Sequence, residues 1–404
     1  MSDSWVEVTL GDTCLSIKRG KAPKYVNDGY LVFNQKCVRD ENRIDISPAR
    51  RTDSSRPIPE HAQLQVGDVL VNSTGRGTLG RAAELRELPE PATADSHVTI
   101  VRPDPQHFSP GFAGLVLSAR KADLEALQTG STNQTELSAS SIAAVPIALP
   151  PLPVQERIVE VIGAVDDQLT ALDTSVSTVR KILNKVLAEH FTTAKGTRHR
   201  VVDLCSHVVG GVWGKPAGEN EVDRLALGPR IYAPGTSEFV TDGSPIRSFT
   251  TKQADTRTVR EQDIILERSG GSPEQPVGRV AIAGPNLEPC VPTDFQRLMR
   301  VDPEKALPRY VFWRLRHDWV SGLTRAYSRR TTGITNLSVK DYIAREIPVP
   351  SFHEQTEIVK RAEAVEALIS ALHAEAVGLR RIRASLLSAL LDRTIDIESA
   401  ELGV

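Results

Sequence analysis

The chain has 404 residues, more than one hydrophobic core usually holds, since single cores stop growing near about 250 to 300 residues. Its make-up, 40% hydrophobic, 25% charged and 5% aromatic, is that of a folded globular protein and excludes a fibrous or intrinsically disordered chain. A net charge of −2 and a pI near 6.5 supply no molecule-wide field to draw the protein onto phosphate, so any nucleic-acid contact must rest on locally clustered arginines.

The opening Met1-Ser2-Asp3-Ser4-Trp5 lacks the basic start and apolar run of a secretory signal. No stretch reaches the ~18 apolar residues of a membrane span, so a cytoplasmic protein without membrane contact is expected. Cys14, Cys37, Cys205 and Cys290 are scattered without a C-x-x-C pair, which points to free thiols rather than disulfides or zinc.

Residues 1–153 read as a first globular domain. Val66-Gly67-Asp68-Val69-Leu70 has the pattern of a turn entering a buried strand. Two polar runs follow, Asn72-Ser73-Thr74-Gly75-Arg76-Gly77-Thr78 and Gly130-Ser131-Thr132-Asn133-Gln134-Thr135. Glycine lets a backbone approach a phosphate closely, and short hydroxyls and amides bond to phosphates or adenine edges; the same runs also suit ordinary hairpin turns.

After the proline-rich Pro146-Ile147-Ala148-Leu149-Pro150-Pro151-Leu152-Pro153, the spacing predicts a long helix over 154–191. Ile158, Val165, Leu172, Val179 and Val186 fall seven apart, and Ile162, Leu169, Val176 and Leu183 fill the complementary seam, a coiled-coil pattern over four heptads.

Residues 192–350 form a second domain. Val209-Gly210-Gly211-Val212-Trp213-Gly214-Lys215 superficially resembles a phosphate loop, but its first glycine is misplaced and Pro216 stands where the magnesium-binding hydroxyl belongs, so it reads as a loop. Arg309, Arg314, Arg316, Arg325, Arg329 and Arg330 are interleaved with Tyr310, Phe312, Trp313, Trp319 and Tyr327. Arginine forks suit phosphate and guanine. Arg314 and Arg316 fit equally the solvated face of a helix with an aromatic core side, whereas Arg329 and Arg330, in the polar run Ser328-Arg329-Arg330-Thr331-Thr332-Gly333, are the better DNA candidates.

A second helix is expected over 351–393, opened by Ser351-Phe352-His353-Glu354, a capping box. Ile358, Val365, Leu372, Leu379 and Leu386 repeat the heptad phase, with Ala362, Ile369, Ala376 and Leu390 opposite, broken only by Arg383. Residues 394–404 are a tail.

Both halves are copies of one unit. Gln155 with Ile158-Val159 returns as Gln355 with Ile358-Val359, and Thr135 and Leu137 return as Thr335 and Leu337. Gly80-Arg81-Ala82-Ala83 matches Gly278-Arg279-Val280-Ala281, and Val66–Leu70 matches Glu261-Gln262-Asp263-Ile264-Ile265. The run at Asn72 has its partner in Arg268-Ser269-Gly270-Gly271-Ser272. Ends agree while middles drift, as expected of diverged binding loops. Two copies related by a pseudo-twofold axis would pack their helices antiparallel. Each helix of about 37 residues would then be a rod of roughly 55 Å, enough to bridge up to about sixteen base pairs.

This combination resembles the specificity subunit of type I restriction-modification systems over nearly the whole chain. The resemblance is carried by Trp5-Val6-Glu7-Val8-Thr9-Leu10-Gly11-Asp12, by the junction Ile147-Ala148-Leu149-Pro150-Pro151-Leu152-Pro153-Val154-Gln155-Glu156-Arg157-Ile158-Val159, and by Ile347-Pro348-Val349-Pro350-Ser351-Phe352-His353-Glu354-Gln355. The second junction departs from the usual run at Ser351-Phe352-His353, so identical partner contacts at both junctions need not follow.

The resemblance implies an α+β fold: two tandem target-recognition domains, each followed by a long helix, the helices forming an antiparallel coiled coil. Each domain would read one half of a bipartite, asymmetric site on double-stranded DNA. The helices would dock two methyltransferase subunits through residues such as Gln155, Arg157, Gln355 and Glu357, with restriction and translocase subunits outside. S-adenosylmethionine, ATP and Mg would sit on those partners and none on this chain. The candidate DNA contacts are Arg76, Thr78, Asn133, Gln134, Arg268, Ser269, Arg325, Arg329, Arg330 and Thr331.

No catalytic or metal residue is expected. The Asn-Pro-Pro-aromatic or Asp-Pro-Pro-Tyr motif of a DNA aminomethyltransferase does not occur, and His97, His207, His317 and His353 lack metal-ligand spacing. Asp68 and Asp263 hold matching positions and could be a carboxylate pair, but the buried-strand pattern around each explains them better. Two alternatives remain: service to a methyltransferase, or fused nuclease-methyltransferase, outside a classical type I system, and a coiled-coil scaffold that binds only proteins.

Overall fold

The computed structural model describes residues 5–55, 57–129, 135–232, 236–271, 275–330 and 334–397. The chain divides into two compact units, residues 1–170 with 377–404, and residues 171–376. Each unit therefore takes one half of each long helix.

In the first unit a four-stranded antiparallel sheet runs in the order Cys14–Arg19, Val98–Pro103, Val69–Asn72, Ala82–Glu84. A second sheet has the order Ala92–Ala94, Tyr30–Phe33, Arg50–Thr52, Tyr25–Val26, its first pair parallel. The strand Val69–Asn72 is buried on both faces, with Val69, Leu70 and Val71 fully buried. A two-stranded ribbon, Val6–Thr9 against Pro146–Leu149, ties the start of the domain to the residues just before the helix.

The second unit repeats this order strand for strand. Its sheets are Cys205–Gly210, Gln296–Val301, Ile264–Glu267, Val280–Ile282, and Cys290–Pro292, Val222–Leu227, Ile246–Phe249, Lys215–Pro216, again with a parallel first pair. Thr197–Arg200 pairs with Glu346–Val349 as the closing ribbon. The repeat seen in scattered sequence matches is thus a repeat of topology.

The first long helix spans Leu152–Thr193 and the second Phe352–Leu391. The first starts two residues before the expected 154, within the proline run, because proline in a first turn loses no hydrogen bond. At the second, Ser351 Oγ accepts the Glu354 N–H at 3.4 Å and the Ser351 N–H donates to Glu354 Oε2 at 3.1 Å, the expected capping box, and Ser351 Oγ donates to the same Oε2 at 2.8 Å. These bonds hold the Glu354 carboxyl below its ordinary range.

In the first unit Ile158 and Ile162 share a core with Phe112, Leu387 and Leu390; in the second, Leu183, Leu187 and Phe191 share one with Ile358, Ala362 and Ile369. The beginning of one helix meets the end of the other in each unit, an antiparallel pairing. The helices do not form a body apart from the domains, because their apolar stripes complete the domain cores. Arg383, the one break in the heptad pattern, is only 3% exposed; it binds both carboxylate oxygens of Asp166, at 2.5 and 3.0 Å, and donates to the Glu41 carbonyl.

Candidate nucleic-acid interface

The second unit gathers three of the expected DNA contacts, Ser269, Arg329 and Arg330, on one small sheet, with Arg268 just before its first strand. Ser269–Gly270, Thr335–Leu337 and Ser328–Arg330 form three antiparallel strands with Thr335–Leu337 in the middle. Arg268 accepts the Leu337 N–H at its carbonyl, which fixes the first strand to the middle one. Gly270, at φ 143, has its Cα so close to Glu267 that a Cβ would lie 2.6 Å from the carboxylate, which is why the run needs glycine there.

Arg329 and Arg330 lie exposed on the outer strand and make no ion pair among the described residues. Arg325 is exposed on the 3-10 turn before it. Ser269 differs from expectation: it is 6% exposed and its hydroxyl donates to Asn336 Oδ1 at 2.5 Å, so it holds the sheet together rather than facing DNA. Thr331 lies outside the described residues.

The first unit builds the same feature more lightly. Thr74 and Thr129 each form a single bridge to Glu136, at the places taken by strands in the second unit. Arg76 is exposed between Gly75 and Gly77, which have φ 103 and 77, and makes no ion pair among the described residues. Thr78 turns its hydroxyl back onto the Gly75 carbonyl at 3.3 Å, closing the turn. Asn133 and Gln134 lie outside the described residues.

Four half-buried or buried groups that looked functional are structural. The helix Pro308–Val320 buries Tyr310, Phe312 and Trp313 completely, and its arginines turn inward: Arg314 pairs with Asp318 at 3.2 Å and Arg316 with Glu366 at 2.8 Å. Asp68 accepts the Gln65 N–H and pairs with Arg102 at 2.7 Å, while Asp263 accepts the Arg260 N–H and pairs with Arg300 at 2.6 Å. Each carboxylate accepts three such bonds and locks a turn to the next strand.

Gln155 and Gln355 are corrected in the same way. They are 0% and 1% exposed. Gln155 accepts the Ser109 N–H at 2.9 Å and donates to the carbonyls of His107 and Pro150; Gln355 accepts the Leu307 N–H at 2.8 Å and donates to the Pro350 carbonyl. A side chain spent on buried backbone groups has nothing left to offer a partner. Arg157 and Glu357 remain partly exposed at the same junctions, Glu357 paired with Lys360 at 3.6 Å. The four cysteines are free, and burial pushes their thiols up, to about 12 for Cys14, Cys205 and Cys290 and about 11 for Cys37, so they are poor nucleophiles.

Two cations escaped the reading of sequence. Arg297 and Lys340 join Arg268, Val208, Gly210 and Leu337 around a cleft of about 370 Å³. Arg297 sits on an interior strand, where an arginine between Gln296 and Leu298 carries no pattern that marks it as a ligand; only the fold brings it beside Arg268.

Comparison with known proteins agrees with this architecture. Residues 2–177 match the family model of the type I restriction modification DNA specificity domain. A protein of Methanocaldococcus jannaschii described as a type I restriction enzyme MjaX specificity subunit is 21% identical over 98% of this chain and 95% of its own length. A structure solved for complex assembly and conformational transition of a type I R-M system superposes with a TM-score of 0.56, at 17% identity, over 96% of this chain and 97% of the other. The type I restriction-modification S subunit from M. genitalium gives 0.50 at 15% identity, over 96% of each chain. With the domain model on its first half, the same strand order in its second, and relatives of matching length, the chain is similar over its whole length to type I restriction-modification DNA specificity subunits.

Proposed function

We propose that this chain is a type I specificity subunit that reads a bipartite, asymmetric site on double-stranded DNA, one half through each unit, and that its two long helices set the gap between the halves. The observation that carries this reading is the repeated element beside each four-stranded sheet, which exposes Arg76 in one unit and Arg329 with Arg330 in the other on a shared topology with different side chains. One fold with two loop sets suits two different half-sites.

The chain serves two methyltransferase subunits, which bring S-adenosylmethionine, and restriction subunits that bring ATP and Mg, in the cytoplasm. Helix faces beside Arg157 and Glu357 are the docking sites. Among the described residues no helix is long and apolar enough to cross a membrane. Mapping methylated bases across the host genome with and without the gene for this chain tests the reading: a two-part asymmetric motif that vanishes on deletion supports it, and unchanged methylation refutes it.

A further inference from the structure

The cleft around Arg268 and Arg297 has a counterpart in the first unit, and the two differ in how their charge is balanced. Sheet register makes the positions equivalent: Gly210 faces Arg297 across the strand pair as Arg19 faces Thr99. In the first unit the arginine, Arg19, is ion-paired with Glu136 and donates to the Ser96 carbonyl at 2.6 Å. Ser73 and Thr99, both fully buried, join their hydroxyls at 2.5 Å and fill the space. The arginine's charge there is balanced by Glu136.

In the second unit Ser73 is replaced by Arg268, Thr99 by Arg297, and Glu136 by Asn336, whose side-chain oxygen is already engaged by Ser269. Two guanidinium groups therefore share a cleft from which the compensating carboxylate has been removed. Among the described residues neither forms an ion pair; Asp294 acts on Arg297 only from a distance, and Lys340 adds a third positive charge. Burial and the neighbouring Arg268 both disfavour the charged form of Arg297. Gly210 makes room: a Cβ there would sit 3.3 Å from the guanidinium. Like charges gathered in a half-buried, open cleft are unfavourable unless an outside anion completes them.

We infer that this cleft grips one backbone phosphate of the DNA duplex between Arg268 and Arg297, with Lys340 at its rim, a contact the first unit does not possess. It rests on the DNA-reading function and adds to it an anchor that fixes the second unit on the backbone without reading a base.

The test uses the full chain assembled with its methyltransferase subunits, with binding to a duplex bearing the mapped motif and to a random-sequence duplex followed over a range of KCl. R268Q and R297Q should each weaken both complexes by about tenfold and make the dependence of log affinity on log salt shallower by about one, while the methylated motif stays the same. R297K, which keeps the charge, should retain the wild-type salt slope. A changed base in one half of the motif with an unchanged salt slope would show that the arginines read guanine instead, and would overturn the phosphate assignment. So would wild-type affinity and slope in R297Q, or an R297K variant as weak as R297Q with a lowered melting temperature, which would make the site structural. Wild-type complex without preference for its motif would instead defeat the DNA-reading function itself, a separate failure.

Discussion

The two units share every strand pairing of their two main sheets and yet put their charges in different places. In the first unit Arg383 enters the helix seam and meets Asp166; the equivalent position in the second is Leu183, 1% exposed in an apolar core, and Glu366, the counterpart of Asp166, turns to Arg316 and Ser237 instead. Beside the four-stranded sheet the pattern reverses, with Arg19 neutralised by Glu136 in the first unit and Arg268 and Arg297 left uncompensated in the second. A duplicated backbone tolerates this because topology is set by apolar strands and turn residues, while polar positions are free to change provided each buried charge finds a partner inside or outside the chain.

The seam offers the sharpest way to break the comparison. Asp166→Leu leaves Arg383 buried without a carboxylate and should destabilise the first unit by about 3–5 kcal/mol, whereas Asp166→Leu with Arg383→Leu, which imitates the apolar second unit, should return to within about 1 kcal/mol of the parent in denaturant titrations. A double variant as unstable as the single one would mean that the pair does more than compensate itself.

The glutamine latches come next. Gln155→Ala strands more backbone groups than Gln355→Ala, since Gln155 serves Ser109, His107 and Pro150 and Gln355 only Leu307 and Pro350. Each loss should fall in the range of about 1–3 kcal/mol with the first unit losing more, as read from amide exchange in each unit.

Acid should separate the units as well. Burial holds His190 and His317 below the ordinary histidine range, Arg314 adds to this in both, and Glu354 partly opposes it at His190. A depressed histidine binds its proton better in the unfolded chain, so the second unit keeps its full stability above the unfolded value of about 6.5 and loses it as the pH falls through that value. Hydrogen exchange at pH 7.5 and 5.5 should show protection falling around 171–193 and 308–320, and His190→Gln with His317→Gln should flatten that response.

The smallest effects on folding belong to the exposed arginines. Arg76→Gln, Arg329→Gln and Arg330→Gln should each change stability by less than about 0.5 kcal/mol and yet weaken DNA binding, with loss of base preference confined to the half-site that each unit reads. Equal loss of preference in both halves from any one variant would contradict separate reading.

What the sequence made legible follows a physical division. Apolar periodicity revealed both helices to within two residues at each start, because a buried stripe must repeat in every turn. Turn chemistry at Asp68 and Asp263 and the capping box at Ser351 are local, and so were readable. Arg383 was visible only as a flaw, since its partner Asp166 is 217 residues away. The role of Ser269 is not legible in sequence because a hydroxyl beside an arginine looks the same whether it faces DNA or Asn336, nor is that of Gln155 and Gln355, because matching glutamines mark a shared task without saying that the task is internal. The hairpin Val38–Arg39 with Arg43–Ile44 in the first unit and the helix Thr251–Arg257 in the second carry no repeat signal, having diverged between the copies.

The central claim is that each unit reads its own half of one site. Replacing residues 1–153 with the corresponding domain of a relative that has a different motif, and mapping methylated bases genome-wide, tests it directly. The account predicts a hybrid motif in which one half changes while the other half and the gap between them persist. A motif changed in both halves, or unchanged altogether, would contradict it.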